Sequence, residues 1–243
     1  MARRPWYFNV SRVRLERVVR RFADRTPPGT LVLDAGAGTG VYRRLFTHTR
    51  YESADFAKLS TRYTPLDYVC DLSSLPVEDE RFGAVLCTQV FEHLPEPGAV
   101  ARELFRVLEP GGELVCSAPF AYREHQQPYD FYRYTRYGLR HVFEAAGFEV
   151  DRVVWLEGFF GTIAYQLDAI ARGLPRDPRT VTRGRRLAYV APLLVATRLG
   201  ARFLSGAFAR ADLRWKYTGG GHPKNYVLVA FKPRPADPAA GDR

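Results

Sequence analysis

The chain has 243 residues, 46% of them hydrophobic and 26% charged, a balance that suits a folded domain with an insertion and buries a core without staples. Its three cysteines, Cys70, Cys87 and Cys116, stand far apart, which excludes a C-x-x-C metal ribbon and a disulfide framework and points to a reducing, cytoplasmic compartment. The net charge of +10 is uneven: residues 1–25 carry eight Arg against two acids, and residues 172–214 ten Arg against two, so the chain either meets an anionic partner or decorates solvated faces with Arg.

Val10 to Phe22 reads as an amphipathic helix, with Ser11 as a candidate cap and Val10, Val13, Val18 and Phe22 on one face. No apolar run follows the charged start, so no signal peptide is expected. After Thr26-Pro-Pro-Gly29 the pattern alternates. Strands are expected at Leu31–Leu33, Tyr51–Ala54, Tyr68–Cys70, Ala84–Cys87 and Glu113–Ser117. Helices are expected at Val41–Thr47, Pro97–Leu108 and Arg136–Ala146, the last stopped by Gly147. Phe148–Leu156 and Asn225–Phe231 return to strand character. Such alternation implies a mostly parallel sheet covered on both faces, with the last two strands pairing as an antiparallel edge. Between them, about 158–221, lies a basic insert with helices at Phe159–Ala171 and Leu187–Phe208. The apolar run Leu187–Thr197 is half the length a bilayer needs and stops at Arg198, so a membrane-spanning helix is not expected. Residues 233–243 have the composition of a disordered tail.

The segment Leu31-Val-Leu-Asp-Ala-Gly-Ala-Gly-Thr-Gly40 sends a buried strand into a glycine-rich turn. Glycines there allow a tight turn and let a ligand press on the main chain, at the strand end where open α/β sheets bind ligands. A dinucleotide fingerprint fails because Val41 stands where the third glycine belongs. No G-K-[ST] follows, so it is not a P-loop. Asp34 would repel a pyrophosphate but suits a ligand carrying an ammonium group.

Asp34-x-Gly36-x-Gly38-x-Gly40 resembles the first motif of class I S-adenosylmethionine (SAM)-dependent methyltransferases, and residues 30–150 follow that family's order of segments. The resemblance implies a Rossmann-like α/β fold with a seven-stranded sheet in the order 3-2-1-4-5-7-6. It further implies a helical cap at 1–28, a SAM-binding core at 29–157, a helical insert at 158–221 and a final core strand at 222–232. It implies cofactor contacts from Asp34, Gly36, Ala37, Gly38 and Gly40. Tyr51-Glu-Ser-Ala-Asp55 is similar to the second strand, whose terminal acid holds the ribose hydroxyls, and Phe56 either stacks near the adenine or fills core. Cys70-Asp71-Leu72 looks like the adenine-binding segment, though Asp71 also suits a turn cap. Gln89-Val-Phe-Glu-His93 resembles the turn after the fourth strand, with Gln89 toward the cofactor.

Methyl transfer from a sulfonium asks a protein to align the reactants and exclude water. No metal-ligand spacing is visible, and no metal is expected. A hydroxyl acceptor needs a base, for which His125 is the first candidate and His93 the second. The run His125-x-x-Pro128-x-Asp130-x-x-Arg133-Tyr134-Thr135 resembles a subgroup of type-11 methyltransferase domains that modify saccharides, lipids or secondary metabolites. That resemblance puts Tyr122, Asp130, Tyr132 and Arg133 against the acceptor. Asp130 and Arg133 equally suit a salt bridge that locks the loop.

The expected function is methyl transfer to a small-molecule, saccharide or lipid-linked acceptor, at oxygen. The alternatives are a SAM-binding enzyme of non-methylating chemistry and a membrane-surface adaptor. The apolar helix of the insert, flanked by Arg185, Arg186, Arg198, Arg202 and Arg210, suits a peripheral membrane contact through 185–210, a homodimer, or a lid. Nucleic acid is disfavoured, because no RNA-binding module and no Asn-Pro-Pro-Tyr-type motif accompany the core.

Overall fold

The computed structural model describes residues 9–58 and 63–235. Two compact units emerge: Met1–Arg14 with Glu157–Lys224, and Leu15–Leu156 with Asn225–Arg243. The expected cap at 1–28 and tail at 233–243 lie in part outside the described residues.

The larger unit is built on one sheet. Its strands are β1 (Leu31–Ala35), β2 (Arg50–Asp55), β3 (Tyr68–Val69), β4 (Phe82–Thr88), β5 (Leu108–Pro119), β6 (Glu149–Trp155) and β7 (Asn225–Phe231). They lie in the order β3-β2-β1-β4-β5-β7-β6, the expected Rossmann-like order. β1 runs parallel to β2 and β4, and β4 to β5. β7 runs against both β5 and β6, with β6 outermost.

Both faces are covered, which is why β1 and β4 read as near-continuous apolar runs rather than alternating ones. On one face, Leu33, Cys87, Cys116 and Leu228 meet helices α2 (Pro97–Val107) and α3 (Arg136–Glu144) through Leu104, Leu139 and Phe143. On the other, Val32, Leu86, Val115 and Val229 meet Leu15, Val19 and Phe22 of α1 (Val10–Arg25). Cys87 and Cys116 are register partners, buried and free, and behave as small apolar residues.

Three local expectations need correction. Val41–Thr47 is not an α-helix: a single 3-10 turn at Arg43–Leu45 stands there. The chain must return within a few residues to start β2, where Arg50 N–H bonds Thr30 O at 2.9 Å and Gly29 N–H bonds His48 O at 2.9 Å, and a helix would overrun. The α1 cap is Asn9, whose Oδ1 accepts from Arg12 N–H at 3.1 Å, while the Ser11 hydroxyl accepts from Lys224 Nζ at 3.2 Å. The second insert helix runs past Phe208 to Arg214.

The smaller unit pairs α4 (Phe159–Gly173) with α5 (Leu187–Arg214). Small residues at the contact, Ala164, Ala201 and Ala209, are buried and let the helices approach. Ser205 Oγ donates to Ala164 O at 2.8 Å. Asp212 is fully buried and accepts from Gly161 N–H at 3.0 Å and from Arg14 Nε at 3.3 Å. A buried carboxylate so placed is stable only while both partners remain; its removal takes that contact from Arg14 and from the Gly161 amide, which keep their bonds to Asp212 O and Gly158 O. Asp212→Ala should lower the stability of this unit by roughly 2–3 kcal/mol in urea unfolding, and an unchanged midpoint would show that the contact contributes nothing.

Candidate active site

A cavity of about 450 Å³ opens at the carboxyl ends of β1, β2, β3 and β4, within the range of small-ligand pockets. Its floor is the glycine turn after β1. Gly36 has φ +80°, and a Cβ there would stand 2.2 Å from a methyl of Val90. Only glycine lets this turn pack against the turn after β4. Gly38, at φ +53°, has open space where a side chain would be; its amide donates to Asp55 Oδ2 at 2.9 Å, and Ala57 N–H donates to Asp55 Oδ1 at 3.2 Å. The Asp55 carboxylate is thus held at the end of β2 on the cavity wall. Asp71 and Leu72 follow β3 and border the same cavity. Asp71 also caps its own turn, accepting from Ser73 N–H at 2.9 Å and Ser73 Oγ at 2.8 Å. Phe56 borders the cavity and meets Tyr129 edge-on at 5.4 Å.

Asp34 lies beneath this floor, buried, and accepts from the Tyr51 hydroxyl. Burial raises its pKa to about 6, with the Tyr51 bond opposing the rise. Gln89 has a left-handed backbone, φ +57°. Its side-chain amide donates to Ser117 Oγ at 3.2 Å, and its N–H to Ser117 O at 2.8 Å. These bonds pin the start of the turn that presents Glu92 and His93.

His93 borders the cavity with Leu94 and Pro95. Its Nδ1 donates to Tyr129 O, so Nε2 is the lone-pair nitrogen of the neutral ring. Its ring meets that of His125 edge-on at 4.6 Å. Burial lowers the pKa of both imidazoles and raises that of fully buried Glu92 to about 8. The loop after β5 is fastened by Arg133. Arg133 Nη1 and Nη2 donate to the two Asp130 oxygens at 2.7 and 2.8 Å, and Nε donates to Tyr122 O at 3.0 Å. This bidentate pair holds the Asp130 carboxyl well below the usual range.

A methyltransferase-domain family profile matches residues 9–153 of this chain, more than half of it. The chain belongs to the class I SAM-dependent methyltransferases. It is 29% identical, over 70% of its length and 68% of the relative's, to a probable S-adenosylmethionine-dependent methyltransferase of Mycolicibacterium smegmatis. It is 34% identical, over 45% of its length and 38% of the relative's, to the 2-methyl-6-phytyl-1,4-hydroquinone methyltransferase of Synechocystis. This chain therefore spans well under half of the Synechocystis protein. Among solved structures, the [4+2]-cyclase SpnF covers 90% of this chain and 82% of its own at a TM-score of 0.56 and 22% identity. Phosphoethanolamine N-methyltransferase 2 of Haemonchus contortus, in complex with S-adenosyl-L-methionine, covers 90% and 52% at 0.54 and 16%. At these identities the structures speak for the fold.

In this family member, Gly36, Gly38, Asp55, Phe56, Asp71, Leu72, Gln89 and His93 border one cavity, as one site requires. Asp34, Ala37 and Gly40 support it without lining it. Tyr122, His125, Asp130, Tyr132 and Arg133 also stand off the cavity. Arg133 is consumed as the loop clamp, and the Tyr132 hydroxyl donates to Pro95 O at 3.1 Å. The same loop instead sends Gln126, Tyr129 and Phe131 to the wall. Its aromatic content signalled a lining loop, but which rings face inward depends on how it folds. Lys58 and Tyr63, also on the wall, carried no sequence signal.

Folded Asp34 holds its proton up to about pH 6, whereas in the unfolded chain it ionises near the ordinary value. Its charge therefore counts against folding above that window, by roughly 3 kcal/mol. Asp34→Asn keeps an acceptor for Tyr51 and carries no charge. Its stability relative to the parent, measured by urea unfolding, should be near zero at pH 4 and rise to a full gain above about pH 6.5; a pH-independent difference would overturn the assignment.

Proposed function

We propose that the chain transfers a methyl group from SAM to an oxygen of a small-molecule, saccharide or lipid-linked acceptor. The observation that carries this reading is that a single cavity borders the glycine turn, the clamped Asp55 and the imidazole of His93. The bound cofactor supplies a methyl group on a positively charged sulfur. The residues present fit it: Asp55, pre-set by two backbone amides, would take the ribose hydroxyls, Asp71 and Leu72 the adenine, and Asp34 offsets the ammonium charge. Gly38, with open space where a side chain would stand, leaves the main chain bare for close approach.

Catalysis then rests on alignment and exclusion of water by Leu94, Pro95, Tyr129 and Phe131. Of the two histidines read as bases, His93 borders the cavity, with its Nε2 buried toward Glu92 Oε1 at 3.7 Å, while His125 does not line the cavity. Calorimetric titration should give micromolar binding of SAM and S-adenosylhomocysteine, lost at least about tenfold in Asp55→Ala. His93→Gln should keep that affinity and lower kcat by about 100-fold. Failure of the parent to bind either ligand would end this reading, and turnover without S-adenosylhomocysteine as product would favour non-methylating chemistry.

The acceptor's presentation is read from α5. Residues 184–214 form a helix long and apolar enough to cross a membrane by length and composition. From Leu187 to Gly200 none of its residues is buried, and Leu193, Leu199 and Phe203 are 60–77% exposed. Arg198 and Arg202 interrupt the apolar surface at mid-helix, and Arg183, Arg185 and Arg186 precede it. Apolar side chains beside many cations suit the interface of an anionic bilayer, with the helix lying in its plane. The protein should co-float with vesicles containing phosphatidylserine and much less with phosphatidylcholine alone. Leu193→Asp/Leu199→Asp/Phe203→Asp should abolish flotation with SAM affinity unchanged; unaltered flotation, or a dimer in solution with no vesicle binding, would remove the membrane role.

A further inference from the structure

Glu92, His93 and His125 bring three potential ligand atoms within 4.8 Å of one another. Glu92 Oε1 stands 3.7 Å from His93 Nε2. In a tetrahedral site with bonds of about 2.0–2.1 Å, ligand atoms lie about 3.3–3.4 Å apart. That pair is therefore near its bound spacing, and no pair has to close by more than about 1.5 Å. The sequence hides this group, because Glu92 and His93 are adjacent and His125 follows on another strand's loop.

Polar atoms of this group lack hydrogen bonds. Both Glu92 oxygens, His93 Nε2 and His125 Nδ1 are buried and make none. Glu92 is fully buried. One such atom is uncommon in a folded chain, and four within one cluster need a cause. His93 Nδ1 is spent on Tyr129 O, so its Nε2 lone pair is the one presented, as in metal sites where the second ring nitrogen is anchored. Asp130 is taken up by Arg133 and by His125 N–H at 2.7 Å, and its Oδ2 lies 3.4 Å from His125 Nδ1. It positions the His125 backbone while its own charge is already compensated.

We propose that Glu92, His93 and His125 form a binding site for a divalent transition-metal ion of the zinc class. Two imidazole nitrogens with one carboxylate select zinc, cobalt or iron over magnesium and calcium, which take oxygen sets. Three protein ligands leave a further position for a small ligand, and His93 ties the site to the cavity wall. An ion held there would add positive charge beside the part of the cavity wall that His93 forms.

The test uses the full chain, stripped with chelator and dialysed against zinc or cobalt(II) alone. The expected result is one equivalent bound at micromolar affinity or tighter. The cobalt(II) form should show visible d–d bands and no thiolate charge-transfer band. Glu92→Gln and His125→Asn should each weaken binding about 100-fold or more while retaining the parent's circular dichroism and SAM affinity. Substoichiometric binding, a thiolate band, or variants that bind as the parent does would overturn the site. SAM calorimetry on the metal-free protein is independent, so loss of SAM binding refutes the methyl-transfer reading and not the metal site.

Discussion

The site depends on how closely two turns approach. Gly36 follows β1 and Val90 follows β4, and no side chain fits between them. The parallel register of β1 with β4 fixes where the two turns emerge. Their contact closes one end of the cavity and sets the start of the turn that carries Glu92 and His93. Around it, backbone groups do the fine positioning: Gly38 and Ala57 amides hold Asp55, and Ser117 holds Gln89. The side chains of the site are therefore placed by main-chain geometry that the sheet dictates.

Charge burial is the second theme. Asp34 and Glu92 are both carboxylates pushed toward neutrality by the apolar sheet around them. Either would be better replaced by an uncharged residue if folding alone mattered. Asp130 is the contrast, since its bidentate Arg133 partner makes it a strong acid and a structural clamp. Acids with no salt bridge to a cationic side chain sit where positive ligands are inferred, an ammonium near Asp34 and a metal ion at Glu92. The compensated one holds a loop. Position in the network, rather than residue type, separates the two uses.

The smaller unit follows a different logic. In α5, small residues from Ala201 onward bury against α4, while Leu187–Gly200 buries none of its residues. One helix thus combines a packed half with an apolar half that is exposed or only half-buried among the described residues. An exposed apolar face of that kind marks an interaction surface.

The order of elements, the parallel sheet and the glycine turn were legible in the sequence, because each is written in local signals: apolar runs, turn residues and a motif confined to ten positions. Asp55 and Asp71 were legible for the same reason, each standing at a strand end in a recognisable segment. The failures share one cause. Val41–Thr47 had helical composition, but the distance to the next strand allowed a single turn. The loop from Tyr122 to Arg133 announced itself by its aromatics, yet Arg133 turned inward and Tyr129 and Phe131 took the wall. Glu92 was passed over as part of a strand-end segment, and its meeting with His125 spans thirty-three positions. Sequence alone determined which residues could act, since strand and turn chemistry is local. Only the tertiary structure decided which of them face a common point, because that depends on side-chain directions and strand register across the whole sheet.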